Sequence, residues 1–353
     1  MLIRILAAGL LVLAGCAPAR ASAEFEFLGQ HQVAPGATLD GTVIGGLSGI
    51  SYDPAADLYY IVSDDRSAHN PARFYTARIT LSDNGIDDVQ FIGTHPWLDR
   101  DAQPFRPLRR DVVPPVVPPD PEAIAFDPGR QRLYWTSEGE RRVDGPGPPS
   151  LLDPWVRTAG LDGSFLGEFA LPDAMRMSAG EHGPRRNSAL EGLSLSPDGR
   201  YLWAAMEGPG YDDGPPPDEH HGARTRVVRL DPDTGAVDGQ YTYPLDPVSA
   251  GPGGDNGLSD LLALDDGSFL VIERGFGTHV AVRIFSARLD DGSSEMRKTL
   301  LVDLTDTAGL APLDNIEGIT LGPKLPDGRQ SVIAVSDDNF SPTQVTQFLL
   351  FAM

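Results

Sequence analysis

Residues 315–340, N-I-E-G-I-T-L-G-P-K-L-P-D-G-R-Q-S-V-I-A-V-S-D-D-N-F, read as a strand, a tight turn and a returning strand. Ile319 to Leu321 alternate as a half-buried strand does, Pro326-Asp327-Gly328 carries turn chemistry, and Ser331 to Val335 is a β-branched, apolar return. An antiparallel hairpin puts the start of its first strand and the end of its second at one edge. Glu317 and the pair Asp337-Asp338 are therefore expected to lie together.

The hairpin recurs four times. Leu47 to Pro54 leads to Leu58 to Asp65, Pro121 to Pro128 to Arg132 to Glu138, Leu190 to Gly199 to Tyr201 to Glu207, and Leu258 to Gly267 to Phe269 to Glu273. Five copies at intervals of roughly 60 to 75 residues are an internal repeat, and a repeat of one supersecondary unit decides the fold. The 353 residues then form one domain, and 39 glycines and 32 prolines suit many turns and short strands.

In chain order, Phe25 to Val33 is a strand with no local partner. The first hairpin is followed by strands at Phe74 to Leu81 and Val89 to Trp97, the second by Trp155 to Leu161 and Ser164 to Leu171. The third is followed by Arg226 to Leu230 and Gln240 to Leu245, the fourth by Ala281 to Leu289 and Lys298 to Leu304. The fifth has only Thr343 to Phe351 after it. Pairing the orphan strand with this last, incomplete repeat closes a ring and removes its open edges. The expected fold is all-β, a single β-propeller of four-stranded blades spanning residues 24–353. Five blades are counted; a sixth, divergent one inside Thr94 to Asp120 is the alternative.

Met1 to Gly15 holds one basic residue, Arg4, before an apolar run from Ile5 to Ala14, the pattern of a signal peptide. Leu13-Ala14-Gly15-Cys16 matches a bacterial lipobox, which would make Cys16 the lipidated first residue; the alternative is cleavage after Ala21-Ser22-Ala23. Cys16 is the only cysteine, so disulfides and a thiol nucleophile are excluded. The expected location is the periplasm or cell surface, anchored to a bacterial outer membrane by lipid alone, as a monomer. A net charge of −22 argues against nucleic acid and anionic membranes as partners.

Most of these acids need do no more than keep the surface solvated. Those in register with the repeat are different. Six residues before the proline of the first-hairpin turn stand Ser48, Glu122, Glu191 and Glu317; the fourth repeat lacks the proline and aligns Ser259 there, with Asp260 next. Innermost strands line a propeller's channel, so this column forms a ring at one mouth. The second strands end at that mouth with Asp64, Asp65, Glu138, Glu207, Glu273, Asp337 and Asp338. Crowded carboxylates repel unless protonated or neutralised by a cation. Oxygen ligands without cysteine point to calcium, or magnesium, rather than zinc. Otherwise some of these acids cap backbone amides of neighbouring blades.

Arg66 and Arg274 adjoin the acids, suited either to holding an anionic ester or to balancing charge. Asn70, Asn187, Asn256, Asn315 and Asn339, and His69, His182 and His279, lie near the same strand ends with structural roles as the default. His220-His221 sits in a polar, proline-rich loop and is read as solvated. No nucleophile elbow, H-E-x-x-H, P-loop or G-x-G-x-x-G motif occurs.

Gly46-Leu-Ser-Gly-Ile with Val62-Ser-Asp-Asp65, Leu190-Glu-Gly-Leu-Ser, Gly257-Leu-Ser-Asp-Leu-Leu-Ala-Leu with Val271-Ile-Glu-Arg-Gly275, and Asn315-Ile-Glu-Gly-Ile with Val335-Ser-Asp-Asp-Asn-Phe340 resemble the phytase-like family of exported bacterial proteins, named for an esterase-like activity of phytase. The resemblance implies a propeller whose Glu and Asp residues carry phosphoester hydrolysis, related to calcium-dependent propeller phytases. The Asp- and Lys-rich strand motifs of those phytases do not occur here.

Three functions follow as expectations. The first is a calcium-dependent hydrolase of a small anionic phosphate mono- or diester. Asp64, Asp65, Glu122, Glu191, Asp260, Glu317, Asp337 and Asp338 supply metal ligands, Glu122, Glu191 and Glu317 the catalytic groups, and Arg66 and Arg274 substrate binding. The second is a metal-dependent hydrolase of carboxylic esters or lactones, which calls for an apolar mouth. The third is a non-catalytic, calcium-stabilised binding propeller.

Overall fold

The computed structural model describes residues 25–82, 85–144, 149–265 and 267–353. The apolar N-terminal segment, Cys16 and both cleavage sites lie outside the described residues.

Five four-stranded antiparallel sheets form the molecule, each with its strands in sequential order from the inside outward. Blade 1 comprises Leu47–Asp53, Leu58–Ser63, Arg73–Ser82 and Gly85–Pro96, and blade 2 Pro121–Asp127, Arg132–Ser137, Trp155–Ala159 and Phe165–Glu168. Blade 3 comprises Leu190–Leu195, Leu202–Met206, Ala223–Leu230 and Val237–Leu245, and blade 4 Gly257–Ala263, Ser268–Phe276, Val280–Leu289 and Met296–Asp303. Blade 5 takes Asn315–Lys324, Gln330–Asp337 and Gln347–Ala352, and its outermost strand is Glu26–Gln32 from the other end of the chain. Glu26 opposes Ala352 and Gln32 opposes Gln347, so the ring closes as expected.

No sixth blade exists among the described residues. Between blades 1 and 2 only two isolated bridges occur, Leu98 with Pro104 and Arg109 with Val116. The prolines of this stretch remove ladder donors, and no sheet can propagate through it. Blade 5's third strand starts at Gln347 rather than at Thr343, because Val345 N–H donates to Asp314 and Thr346 Oγ1 to Asp338 instead of to a strand.

The core is divided into five apolar clusters, each between two neighbouring blades. Ile50, Tyr59 and Ile61 of blade 1 meet Ile333, Val335 and Phe348 of blade 5, and Trp203 and Val227 of blade 3 meet Leu261 and Phe269 of blade 4. Both faces of every blade are therefore buried. That explains the near-continuous apolar runs, such as Ser331 to Val335, where one-sided sheets alternate.

Candidate functional site: a carboxylate cup at one mouth

The inner strand of every blade carries a β-bulge at the same place. In blade 3 Leu190 opposes Met206 and Gly192 opposes Ala205, which leaves Glu191 unpaired. The same slip leaves out Ser48 in blade 1, Ser259 in blade 4 and Glu317 in blade 5, and Glu122 with Ala123 in blade 2. A bulge inserts one residue and re-aims its side chain. The column of acids found in the repeat is thus a column of bulge residues.

Just past the bulge stand Gly49, Ala123, Gly192, Asp260 and Gly318. The small residues let backbones meet: a Cβ on Gly318 would lie 2.9 Å from Gly49 Cα, and one on Gly192 3.0 Å from Leu261 N. The single large residue, Asp260, accepts hydrogen bonds from Leu261 N–H (2.8 Å) and Leu193 N–H (3.3 Å) on Oδ1 and from Ile319 N–H (2.9 Å) on Oδ2. Asp260 ties the inner strands of blades 3, 4 and 5 together. Burial raises its carboxyl pKa, against the three amide donors that favour the anion.

On the bulge side of this ring the acids cluster, buried among one another. Glu138, Glu191 and Glu207 each bring one carboxylate oxygen to within 4.8 Å of the others. At that separation two ionised carboxylates repel by about 3 kcal/mol at an effective dielectric near 20. Burial first, and then neighbouring carboxylates, raise the carboxyls of Asp64, Glu122, Glu138, Glu191 and Asp337 well above their usual range. Glu317 is raised too, with Arg274 pulling it back. Asp120 is pushed up to about 6 and Glu207 to about 7, burial again leading in each. Asp64 Oδ1 and Asn315 Oδ1 are buried acceptors with no donor among the described residues. Acceptors left without donors, beside repelling carboxyls, make an oxygen donor set that fits a hard cation.

Two of the expected ligands, Asp65 and Asp338, are engaged elsewhere, as is Glu273 at the same strand ends. Asp65 makes a buried ion pair with Arg73 (2.6 Å) and accepts the amides of Ala68, His69 and Asn70. Asp338 accepts Gly46 N–H (2.8 Å), Phe340 N–H and Thr346 Oγ1–H. Glu273 is fully buried between Tyr243 Oη, Asn256 Nδ2 and Lys298 Nζ. Asn70 accepts from Val43 N–H, His69 stacks on Phe340, His182 meets Asp212, and His221 meets the exposed Asp218.

The two arginines differ. Arg274, its side chain 13% exposed, reaches Glu317 (2.9 Å) and Glu207 (3.3 Å) inside the cup, and those carboxylates hold its charge more firmly than burial weakens it. Arg66 stands at the rim, 30% exposed, between Asp120 (3.1 Å) and Glu140 (3.0 Å). Asp120 and Glu140 had escaped the sequence reading as site residues. Asp120 precedes its strand by one residue, and Glu140 begins a separate two-stranded ribbon, Glu140–Arg142 with Ser150–Leu152. No periodicity marks either one.

The other mouth is unlike this one. A funnel of about 1110 Å³ opens there, with Ile50, Ile124, Leu193, Leu262 and Ile319 from all five blades on its wall.

Compared with solved structures, the chain has the fold of several propeller proteins. A xylan β-1,4-xylosidase from Bacillus halodurans C-125 superposes with a TM-score of 0.51 at 11% identity, over 86% of this chain and 52% of that one. An exo-β-1,3-galactanase from Phanerochaete chrysosporium gives 0.50 at 12% identity, over 92% and 64%. A GH43 β-1,3-galactosidase with galactodeoxynojirimycin gives 0.50 at 13%, over 91% and 94%. No curated protein matches in sequence. The sequence profile described as "Phytase-like: Esterase-like activity of phytase" matches residues 42–340, a span that takes in every bulge acid and all five inner hairpins, and the chain belongs to that phytase-like family.

Proposed function

We propose that the cup is the active site of a metal-dependent hydrolase of phosphate mono- or diesters, with calcium as its ion. The observation that carries this reading is the convergence of Glu138, Glu191 and Glu207 within 4.8 Å, surrounded by further carboxyls and by acceptors that lack donors. Family membership supports hydrolysis of an ester. The funnel at the opposite end of the axis mixes apolar residues such as Ile50 and Ile319 with charged ones such as Arg130, Asp198 and Lys324, and so does not match the apolar mouth that a neutral ester or lactone would call for.

Glu138, Glu191 and Glu207 would hold the ion, with Glu122 and Glu317 beside them. An ion held there would supply Lewis-acid polarisation of a phosphoryl oxygen and activation of a water. In the hydrolysis a water oxygen bonds to phosphorus, the phosphorus–oxygen bond to the alcohol breaks, and the alcohol departs with a proton. Glu122, whose carboxyl is raised by burial and then by the neighbouring Glu191, is the group suited to giving that proton. Glu317, ion-paired to Arg274, is the group suited to act as the base.

The test uses the chain from Glu24 onward, which contains the whole propeller, on aryl phosphate monoester, phosphate diester and acetate. Turnover is measured after chelation and again with calcium added. Calcium-restored phosphoester turnover that disappears in Glu191→Gln is expected. Acetate turnover alone would overturn the substrate class, and silence on all three with a calcium-raised Tm would leave a binding propeller.

A further inference from the structure

In a chain with 50 acids and 28 lysines and arginines, one cationic cluster stands out. Three arginines from three different segments converge on the single carboxylate of Glu140. Arg66 Nη2 lies 3.0 Å and Arg110 Nη2 3.2 Å from its Oε2, and Arg186 Nε 3.7 Å from its Oε1. The Glu140 side chain is 2% exposed, while those of Arg66, Arg110 and Arg186 are 30%, 35% and 61% exposed. Glu140 is therefore a buried template beneath a surface of guanidinium groups. Asp120, which meets Arg66 at 3.1 Å, is the other acid in contact, so three cations face two anions.

Several of the other exposed arginines are satisfied by an acid close in sequence. Arg109 is satisfied by Asp111, Arg200 by Asp198 and Arg297 by Asp290. At Glu140 the donors are in excess. No hydrogen bond is made by Arg186, nor by Nε and Nη1 of Arg110, to any acceptor among the described residues. Glu140 Oε1 is itself buried without a hydrogen-bond donor, since Arg186 stops 3.7 Å away. A planar fork with unused N–H donors matches the oxygens of a tetrahedral oxyanion. Arg66 places this cluster on the rim of the cup, through Asp120.

We propose that Arg66, Arg110 and Arg186 form an oxyanion-binding subsite that takes a phosphate group, with Glu140 as the positioning residue that gathers them. The proposal rests on the phosphoester reading of the cup and adds to it a division of labour. Arg274 is enclosed by Glu207 and Glu317 and serves the carboxylates, while the three rim arginines select the anion. A phosphate bound there lies next to the carboxyls that would hold the ion.

The test titrates inorganic phosphate into the full chain by calorimetry, with chloride at equal ionic strength as reference. Arg110→Ala and Arg186→Ala change exposed side chains and are expected to leave the fold intact. Loss of one charge-assisted contact is expected to weaken phosphate binding about tenfold, and the double variant to abolish it. Glu140→Gln tests the template: it is expected to weaken phosphate binding although it removes a negative charge, because the arginines are no longer gathered. In turnover assays the double variant is expected to raise KM for the phosphate monoester, with kcat and acetate turnover unchanged. Wild-type phosphate affinity in the double variant, or chloride binding as well as phosphate, would overturn the subsite. If no ester is hydrolysed the catalytic reading falls, and the calorimetric titration still decides this one.

Discussion

The two mouths of the propeller are built from the same five hairpins and use aspartate in opposite ways. At the turn mouth Asp198 accepts from Ser196 Oγ, Arg200 Nε and Arg200 N–H, which pull its carboxyl down to about 2. Asp327, held by the backbone and side chain of Arg329, is lowered likewise. At the bulge mouth, burial and mutual repulsion raise the carboxyls of Asp64, Glu191 and Asp337. An exposed acid with local donors ends a turn; a buried acid facing other acids awaits a cation or a proton. The difference arises from the connections. The inner turns span only a few residues, such as 54–57 and 128–131, whereas stretches such as 97–120 and 304–314 connect strands at the other face.

The comparison can be broken most directly at Glu191. Glu191→Gln is expected to reduce calcium-dependent turnover about a hundredfold or more, and to leave the metal-free protein as stable as before or slightly more so, because a repelling charge is gone. Calorimetry with and without calcium checks the second half; a large metal-free loss of Tm would make Glu191 a structural residue.

Asp260→Ala is expected to lower stability by about 3 kcal/mol or more, since the Leu193, Leu261 and Ile319 amides lose a buried acceptor. Denaturant unfolding measures this. A loss below about 1 kcal/mol would mean that water or a neighbour replaces the carboxylate, and Asp260 would then not be the tie among three blades.

The pH dependence should separate the mouths. Carboxyls at the bulge mouth hold protons more tightly when folded than when unfolded. Their contribution is therefore complete below the ordinary carboxylate range and is lost as pH rises through the folded values, about 6 for Asp120 and about 7 for Glu207. Without divalent cations Tm is expected to fall between about pH 4 and 7. If calcium is the ion, it should reverse that fall, because it would bind the deprotonated, folded form. A flat Tm across this window under chelation would refute the raised carboxyls. Asp198 at the turn mouth has the opposite sign: its contribution exists above the ordinary range and is lost only as pH falls toward about 2. The smallest effect belongs there as well, since Arg200→Ala removes an exposed partner and should leave both Tm and turnover unchanged.

Much of this was legible in the chain. Five hairpins in register, an orphan first strand and an incomplete last blade were enough for a closed five-bladed ring, because a propeller repeats one local pattern and its closure follows from edge pairing. Glu122, Glu191 and Glu317 were visible as a column for the same reason. The close approach of Gly192 to Asp260 and of Gly318 to Gly49 was not, since what a small residue leaves room for depends on strands far away in sequence.

Sequence alone thus determined the architecture and which acids share a mouth, because hydrophobic period and turn chemistry are local. Only the tertiary structure decided which of those acids stay unsatisfied. Asp65 turned to Arg73, Asp338 to the Gly46 amide and Glu273 to Lys298, while among the described residues Asp64 Oδ1 was left without a donor. Glu138, Glu191 and Glu207 were brought together although, among those residues, Ala189 N–H and Arg274 satisfy only two of them. Gathering Arg66, Arg110 and Arg186 on Glu140 was likewise a tertiary outcome. Whether a carboxylate meets a donor or another carboxylate is set by long-range packing, and that pairing separates a structural acid from a site.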